Sequence, residues 1–269
     1  MGVMPPLVVA HRGASEDAPE HTLAAYEQAL ADGAAGLEAD IRLTADGHLV
    51  CVHDRRLERT SNGTGALSTL TLAQLEEVDF GATHQLGALD EQPDRGVGPG
   101  AHGVLTLPGL LDLVLSHARP TRLLLETKHP TRYAGYVEQR LAEVLAEFGL
   151  DRATGPQGDR VQVTLMTFSE VALRRMRRLA PQLPLVYLME RVPLIYRSGQ
   201  LPRGVAVAGP WVQVLREHPR YVQRVHDQGG RVFVWTVDDP DDVALATRLE
   251  VDAIITNRPR LVREQVHAG

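Results

Sequence analysis

The sequence predicts an α/β protein, a (β/α)₈ TIM barrel carried as one domain over residues 1–269, from three observations. Short apolar or β-branched runs alternate with helical patterns along the chain, eight such runs can be counted, and several end on charged residues where an interior should be apolar. Such alternation demands parallel strands joined by right-handed crossovers, and eight of them close into a barrel. The chain exceeds the usual single-domain length, yet barrels of this kind often run to 269 residues as one unit.

The first strand, near 7–10, is Leu7-Val8-Val9-Ala10 and closes on His11-Arg12. Thr22 opens a helix near 22–32 as its N-cap. In the second strand, near 36–41, Glu38 and Asp40 sit two apart, so they share one face while Leu37, Ala39 and Ile41 share the other. The turn Ala45-Asp46-Gly47-His48 folds Leu49–Val52 back as an extra strand, a small hairpin that ends on His53-Asp54. Residues 81–104, rich in Gly and holding Pro93 and Pro99, read as a polar loop insertion over the barrel mouth, where insertions after barrel strands gather.

A helix near 107–118 leads to the third strand, near 122–127, where Leu124, Glu126 and Lys128 share a face. A helix near 135–148, a strand near 161–166, a helix near 169–180 capped by Ser169, and a strand near 184–188 follow. No convincing helix links that strand to the next, near 204–208. A helix near 217–228 precedes a strand near 231–236 that carries Trp235 toward the mouth. Asp238-Asp239-Pro240 then opens a helix near 239–248, and a strand near 252–256 and a helix near 259–267 complete the count.

Composition narrows the function. The balance is 28 basic against 34 acidic residues, net −6, with no basic arm, which argues against nucleic acid as a partner. The single Cys51 excludes an internal disulfide and a cysteine-rich zinc site. No stretch approaches about 18 unbroken apolar residues, and the start Met1-Gly2-Val3-Met4-Pro5-Pro6 has no basic leader, so the expectation is a cytoplasmic protein without stable membrane insertion, acting on a small molecule.

The charged residues point to chemistry. Two carboxylates on one buried face cost several kcal/mol per ion unless a cation compensates them, which makes a metal the simplest explanation for Glu38 and Asp40. Glu126 adds a third carboxylate, and a set of hard oxygen ligands suits Mg²⁺ or Ca²⁺ better than zinc. Arg12 and Lys128 offset the remaining negative charge. His11 and His53 titrate near neutrality and suit proton removal and delivery.

The pieces Ala10-His11-Arg12-Gly13, Ala18-Pro19-Glu20-His21-Thr22, Glu38-Ala39-Asp40, Val52-His53-Asp54, Arg59-Thr60-Ser61-Asn62-Gly63-Thr64-Gly65, Leu125-Glu126-Thr127-Lys128, Val234-Trp235-Thr236-Val237 and Ile255-Thr256-Asn257-Arg258-Pro259 occur in order from residue 7 to about 260. In that order they resemble the glycerophosphodiester phosphodiesterase family, of the phospholipase C-like phosphodiesterase superfamily. The resemblance implies a TIM barrel, the metal triad Glu38, Asp40 and Glu126 around one divalent cation, Arg12 and Lys128 on the nonbridging oxygens of a phosphodiester, and hydrolysis of glycerophosphodiesters to glycerol phosphate and an alcohol, within glycerol and lipid metabolism. His21 stands where the family usually has Asn, which leaves its loop-bracing role open, and Asn257 stands where Asp is common.

Glu20 reads as a residue that orients a catalytic group or opens the first helix, Trp235 and Phe168 as substrate-packing residues, and His48 and His129 as turn and loop residues. Arg174, Arg175, Arg177 and Arg178 read as an outer helix face. Three alternatives remain beside the main reading: a phospholipase D-type enzyme acting on lysolipids, a zinc amidohydrolase on the same barrel, and an inactive phosphodiester-binding barrel. The amidohydrolase pattern of two histidines two apart on the first strand is missing, because Gly13 follows His11-Arg12.

Overall fold

The computed structural model describes residues 5–82, 102–152 and 160–268. Its one sheet has nine strands: β1 Leu7–His11, β2 Gly36–Leu43, β3 Leu49–Cys51, β4 Thr121–Thr127, β5 Val161–Thr167, β6 Leu185–Met189, β7 Val207–Pro210, β8 Arg231–Val234 and β9 Ala253–Thr256. They run in the order β1-β9-β8-β7-β6-β5-β4-β2-β3, and an added β1–β2 pairing closes eight parallel strands into the expected barrel. The short β3 lies antiparallel on the end of β2, with Ile41 opposite Cys51 and Leu43 opposite Leu49, which is the hairpin read from Ala45–His48.

The strand alternation sorts side chains into two cores. Inside the barrel, Val9, Leu124, Met166, Val186, Leu188 and Phe233 meet. Outside it, Leu37, Ala39, Ile41, Leu123 and Leu125 pack with helix residues such as Tyr26, Leu110 and Leu141. Glu38, Asp40 and Glu126 alternate with the outward residues, so the same pleat that buries the outer core turns three carboxylates inward. A third cluster of Val50, Val52, Leu57, Leu67, Leu75 and Phe80 anchors the hairpin and the segment after it, fixing where the chain delivers His53.

Three helices start where the capping residues predict. Thr22, Ser169 and Asp239 each accept from a first-turn backbone N–H, opening Leu23–Ala31, Glu170–Leu179 and Pro240–Arg248. The helix expected near 217–228 runs over Arg220–Asp227, and a further short helix, Val212–Glu217, precedes it. Pro219 separates them, because it has no N–H to donate and disfavours helical backbone at the preceding His218. The strand expected at 204–208 begins three residues later, since Gly204 turns at φ +77°. The helix Leu72–Glu76 was not expected; it opens on a Thr71–Gln74 capping box. The link after β6 holds only a 3₁₀ turn, Leu194–Tyr196. The loop expected at 81–104 lies, apart from its ends, outside the described residues. Among the described residues no helix is long and apolar enough to cross a membrane.

Candidate active site

The C-terminal ends of the strands surround an open cleft of about 810 Å³. His11, Arg12, Glu38, His53, Glu126 and Lys128 line one side of it. Phe168 and Trp235 stand on the other, with Met166, Tyr187, Leu188 and Met189.

The carboxylates come from two neighbouring strands. Asp40 and Glu126 are register partners across β2 and β4, and Glu38 sits one pleat back on the same face. One oxygen from each of Glu38, Asp40 and Glu126 lies within 4.8 Å of the others, and all three residues are buried. Burial, then the charges of Asp40 and Glu126, pushes Glu38 well above the usual carboxylate range. Burial and then Asp40 push Glu126 to about 8. Burial would raise Asp40 too, but Lys128, the His21 hydrogen bond and Arg12 outweigh it and hold it well below the ordinary value. Two buried carboxylates shifted up, beside a third shifted down, form a site short of positive charge. A hard divalent cation fits that deficit and that all-oxygen donor set.

The two cations are wired into the same cluster. Lys128 Nζ lies 3.0 Å from Asp40 Oδ1 and 2.8 Å from Glu126 Oε1. Arg12 Nε is 3.1 Å from Asp40 Oδ2, and its NH1 donates to Glu20 Oε1 at 3.0 Å. Arg12 adopts φ +59°, its backbone N–H donates to Glu38, and Gly13 follows at φ +87°. A Cβ on Gly13 would meet Ala25 at 2.7 Å, so only glycine lets this turn lie against the first helix.

The histidines are braced differently. His11 Nδ1 is 2.7 Å from Asn257 Oδ1. Asn257 donates through Nδ2 to Asp238 Oδ2 at 2.6 Å, and Thr256 Oγ1 and the Asn257 N–H donate to Asp238 Oδ1, so the amide oxygen must face His11. His11 therefore donates from Nδ1 and keeps its Nε2 lone pair. Burial, then Arg12, lowers His11 to about 3. His53 Nδ1 lies 2.6 Å from the Asp54 carboxylate. Burial lowers His53, while Asp40 and Asp54 oppose that shift.

Several partners have no sequence signal as strong as the strand-end charges. Arg59 donates to both oxygens of Glu20, at 2.7 and 2.8 Å, and its Nε donates to Asp54. It thereby joins the brace behind Arg12 to the brace behind His53. Glu20 is thus a bridging residue within this network rather than a group on the cleft wall. His21 Nε2 donates to Asp40 Oδ2 at 2.9 Å, and its Nδ1 meets the Tyr26 hydroxyl at 2.8 Å. A buried imidazole thus braces Asp40 in the position where the family usually has Asn. His129, in the loop after β4 as expected, also lines the cleft and pairs with buried Glu138 at 3.0 Å, and Arg175 reaches the same carboxylate at 3.6 Å. His48 is exposed, as a turn residue should be. Trp235 lies just past the end of β8, its Nε1 donating to the Gly209 carbonyl at 2.7 Å, and Phe168 meets its ring edge-on at 5.4 Å.

Comparison with known proteins agrees with this architecture. The family model described as "Glycerophosphoryl diester phosphodiesterase family" matches residues 11–261. A Mycobacterium tuberculosis protein named "Probable glycerophosphodiester phosphodiesterase 1" is 46% identical over 267 residues, covering 98% of this chain and 93% of the relative. A glycerophosphodiester phosphodiesterase of Caldanaerobacter subterraneus is 30% identical over 278 residues, covering 99% of this chain and all of the relative. Among solved structures, an Oleispira antarctica phosphodiesterase in complex with the product sn-glycerol-3-phosphate superposes with a TM-score of 0.81 at 22% identity, covering 98% of this chain and 97% of the other. That likeness shows the same barrel. With a family model spanning nearly the whole chain and full-length relatives at 30% and 46% identity, the chain belongs to the glycerophosphoryl diester phosphodiesterase family and is a phosphoric diester hydrolase.

Proposed function

We propose that the protein hydrolyses glycerophosphodiesters to glycerol phosphate and an alcohol, in one domain, with one Mg²⁺ or Ca²⁺ held by Glu38, Asp40 and Glu126. The observation that carries this reading is the convergence of that triad, Arg12, Lys128 and two oppositely braced histidines on one cleft. When bound, the cation supplies Lewis-acid polarisation of a nonbridging oxygen and a template for the diester.

The chain's own residues do the rest. Arg12 and Lys128 hold the nonbridging oxygens, and their attraction grows as negative charge accumulates in the transition state. His11, with Nε2 unprotonated, removes a proton from the attacking oxygen, and the Asn257–Asp238 pair keeps the ring in the tautomer that can do so. His53 delivers a proton to the departing alkoxide. The Asp54 carboxylate behind it favours the protonated ring that an acid needs, whereas the amide behind His11 offers no such charge. Trp235 and Phe168 pack against the organic part of the substrate. The test is a coupled assay of glycerol phosphate release from a panel of glycerophosphodiesters and lysolipids, run metal-free and with Mg²⁺, Ca²⁺, Mn²⁺ or Zn²⁺. Release from the deacylated diesters with Mg²⁺ or Ca²⁺ supports the reading. Equal rates in chelator, or no turnover of any diester, would defeat it.

A further inference from the structure

A second, narrower groove adjoins the catalytic cleft and shares Arg42 and Lys128 with it. Its volume is about 40 Å³. A site for one water needs about 10–15 Å³ on this measure, so the groove has room for a group of a few oxygens. Four cations line it, Arg42, Arg55, Lys128 and Arg132, with Ser68 and Thr131 alongside, and no acidic residue does. Lys128 is paired with Asp40 and Glu126 on its catalytic side. Among the described residues Arg42 donates from its side chain only to the His53 carbonyl, at 2.8 Å from Nε and 2.6 Å from NH2. Arg55 and Arg132 are exposed and make no ion pair among the described residues, in contrast to Arg56 and Arg59 beside them, which do.

Like charges gathered in a concavity repel one another and focus a positive potential into it. A folded protein has little reason to keep such a group of cations together unless an anion visits them. The groove's position indicates which anion. Arg42 is anchored to the backbone of His53, the proposed proton donor to the leaving alcohol, which puts the groove beside the residue that would meet that alcohol.

We propose that this groove is a subsite for a second phosphate, carried on the alcohol portion of the diester, with Arg55 and Arg132 as its specificity-determining residues. This rests on the glycerophosphodiesterase reading and refines its substrate class to diesters whose leaving alcohol is itself phosphorylated. A glycerol unit with a phosphate at each end is the simplest probe of one phosphorus in the cleft and a second at Arg55 and Arg132.

The experiment compares kcat/KM for glycerophosphoglycerol with that for the same diester bearing a terminal phosphate, in the wild type and in Arg55→Gln/Arg132→Gln. The wild type should favour the phosphorylated substrate by about tenfold at low salt, the advantage should shrink as salt is raised, and the double variant should lose it. The variant should process glycerophosphoglycerol within about twofold of wild type. No preference in the wild type, or a preference that survives in the double variant, overturns the subsite. Calorimetry on the metal-loaded protein separates this from failure of the underlying reaction. Glycerol 1,3-bisphosphate should bind about tenfold tighter than glycerol 3-phosphate to the wild type and equally to the double variant, whether or not either diester is turned over. Equal affinities in the wild type overturn the subsite on binding alone.

Discussion

The two halves of the barrel mouth are built on opposite principles. On β1, β2, β4 and the hairpin, most functional groups are held by another charge: Asp40 by Arg12, His21 and Lys128, Glu20 by Arg12 and Arg59, His53 by Asp54, while His11 is held by the Asn257 amide. On β5, β6 and β8 and just past them, Met166, Leu188, Met189, Tyr187, Phe168 and Trp235 form a largely uncharged wall, joined chiefly by packing and by one aromatic edge contact, with Glu190 and Arg191 following Met189 on the cleft. Removing a member of the first half strands a buried charge and disturbs its partners, so effects there should be large, coupled and visible in kcat. Removing a member of the second loses contact area, so effects should be small, independent and visible in KM.

The harshest way to break the charged half is to take away its cation and then a ligand. Chelation should abolish turnover, and Glu38→Ala should lower it beyond the 10²–10³-fold that one electrostatic group is worth while leaving a folded protein that no longer binds Mg²⁺ or Ca²⁺ in calorimetry. The metal-free protein should also respond to pH. Glu126 is raised from 4.5 to about 8, and Glu38 moves the same way, so the folded form keeps protons that the unfolded chain releases across that window. Its stability should therefore fall as pH rises from about 4.5 to 8. Asp40 acts oppositely, contributing stability above its ordinary value of 3.8 that is lost only in acid. A saturating divalent ion takes the place of the protons, so the loaded protein should not show the loss between pH 4.5 and 8. Thermal melts across this range with and without chelator provide the check, and a flat metal-free profile would contradict the charge deficit.

The two histidines offer a sharper cut within the charged half. His11→Ala and His53→Ala should each slow hydrolysis of a natural diester by about 10²–10⁴-fold. A nitrophenolate leaves without a proton, so on a nitrophenyl phosphodiester the His53 variant should recover much of its rate and the His11 variant should not. Recovery by the His11 variant instead would reverse the assignment drawn from Asn257 and Asp54. Next in size, Lys128→Met should cost about 10²–10³ in kcat and raise KM. Unchanged affinity for a phosphodiester analogue in both Lys128→Met and Arg12→Met would remove these residues from the phosphate site.

How much of this was legible in the sequence also divides along the mouth. Glu38, Asp40, Glu126 and Lys128 could be placed because a period of two is rigid: once Leu37, Ala39, Ile41, Leu123 and Leu125 face the helices, the charges must face inward. The bracing residues could not. Arg59 reaches Glu20 and Asp54 through a loop, and Asp238 orients Asn257 from after β8, contacts set by tertiary placement rather than by spacing along the chain. His21 stood out only as a departure from the family pattern; its hold on Asp40 depends on a φ of +61° that no periodicity predicts. The apolar wall was the least legible. Leu185–Met189 reads as an ordinary buried strand, and nothing in that run distinguishes residues that line a cleft from residues that fill a core.

The smallest expected effect tests that wall directly. Phe168 is 39% exposed and meets Trp235 edge-on at 5.4 Å, whereas Trp235 is also tied to the Gly209 carbonyl. Trp235→Ala would therefore mix substrate contact with loss of a structural hydrogen bond, while Phe168→Ala removes mainly a cleft surface. An aromatic pair contributes about 0.5–1.5 kcal/mol beyond area burial, which corresponds to roughly two- to tenfold in affinity. Phe168→Ala should raise KM within that range, leave kcat within about twofold, and leave the melting temperature nearly unchanged, because the ring is partly solvated already. Combined with Trp235→Phe, its effect on KM should be close to additive, since packing contacts around an open wall do not strand a charge when one is lost. A fall in kcat of the size expected for Lys128→Met would mean that the aromatic side also positions the reacting phosphate, and the division of the mouth into a chemical half and a packing half would not hold.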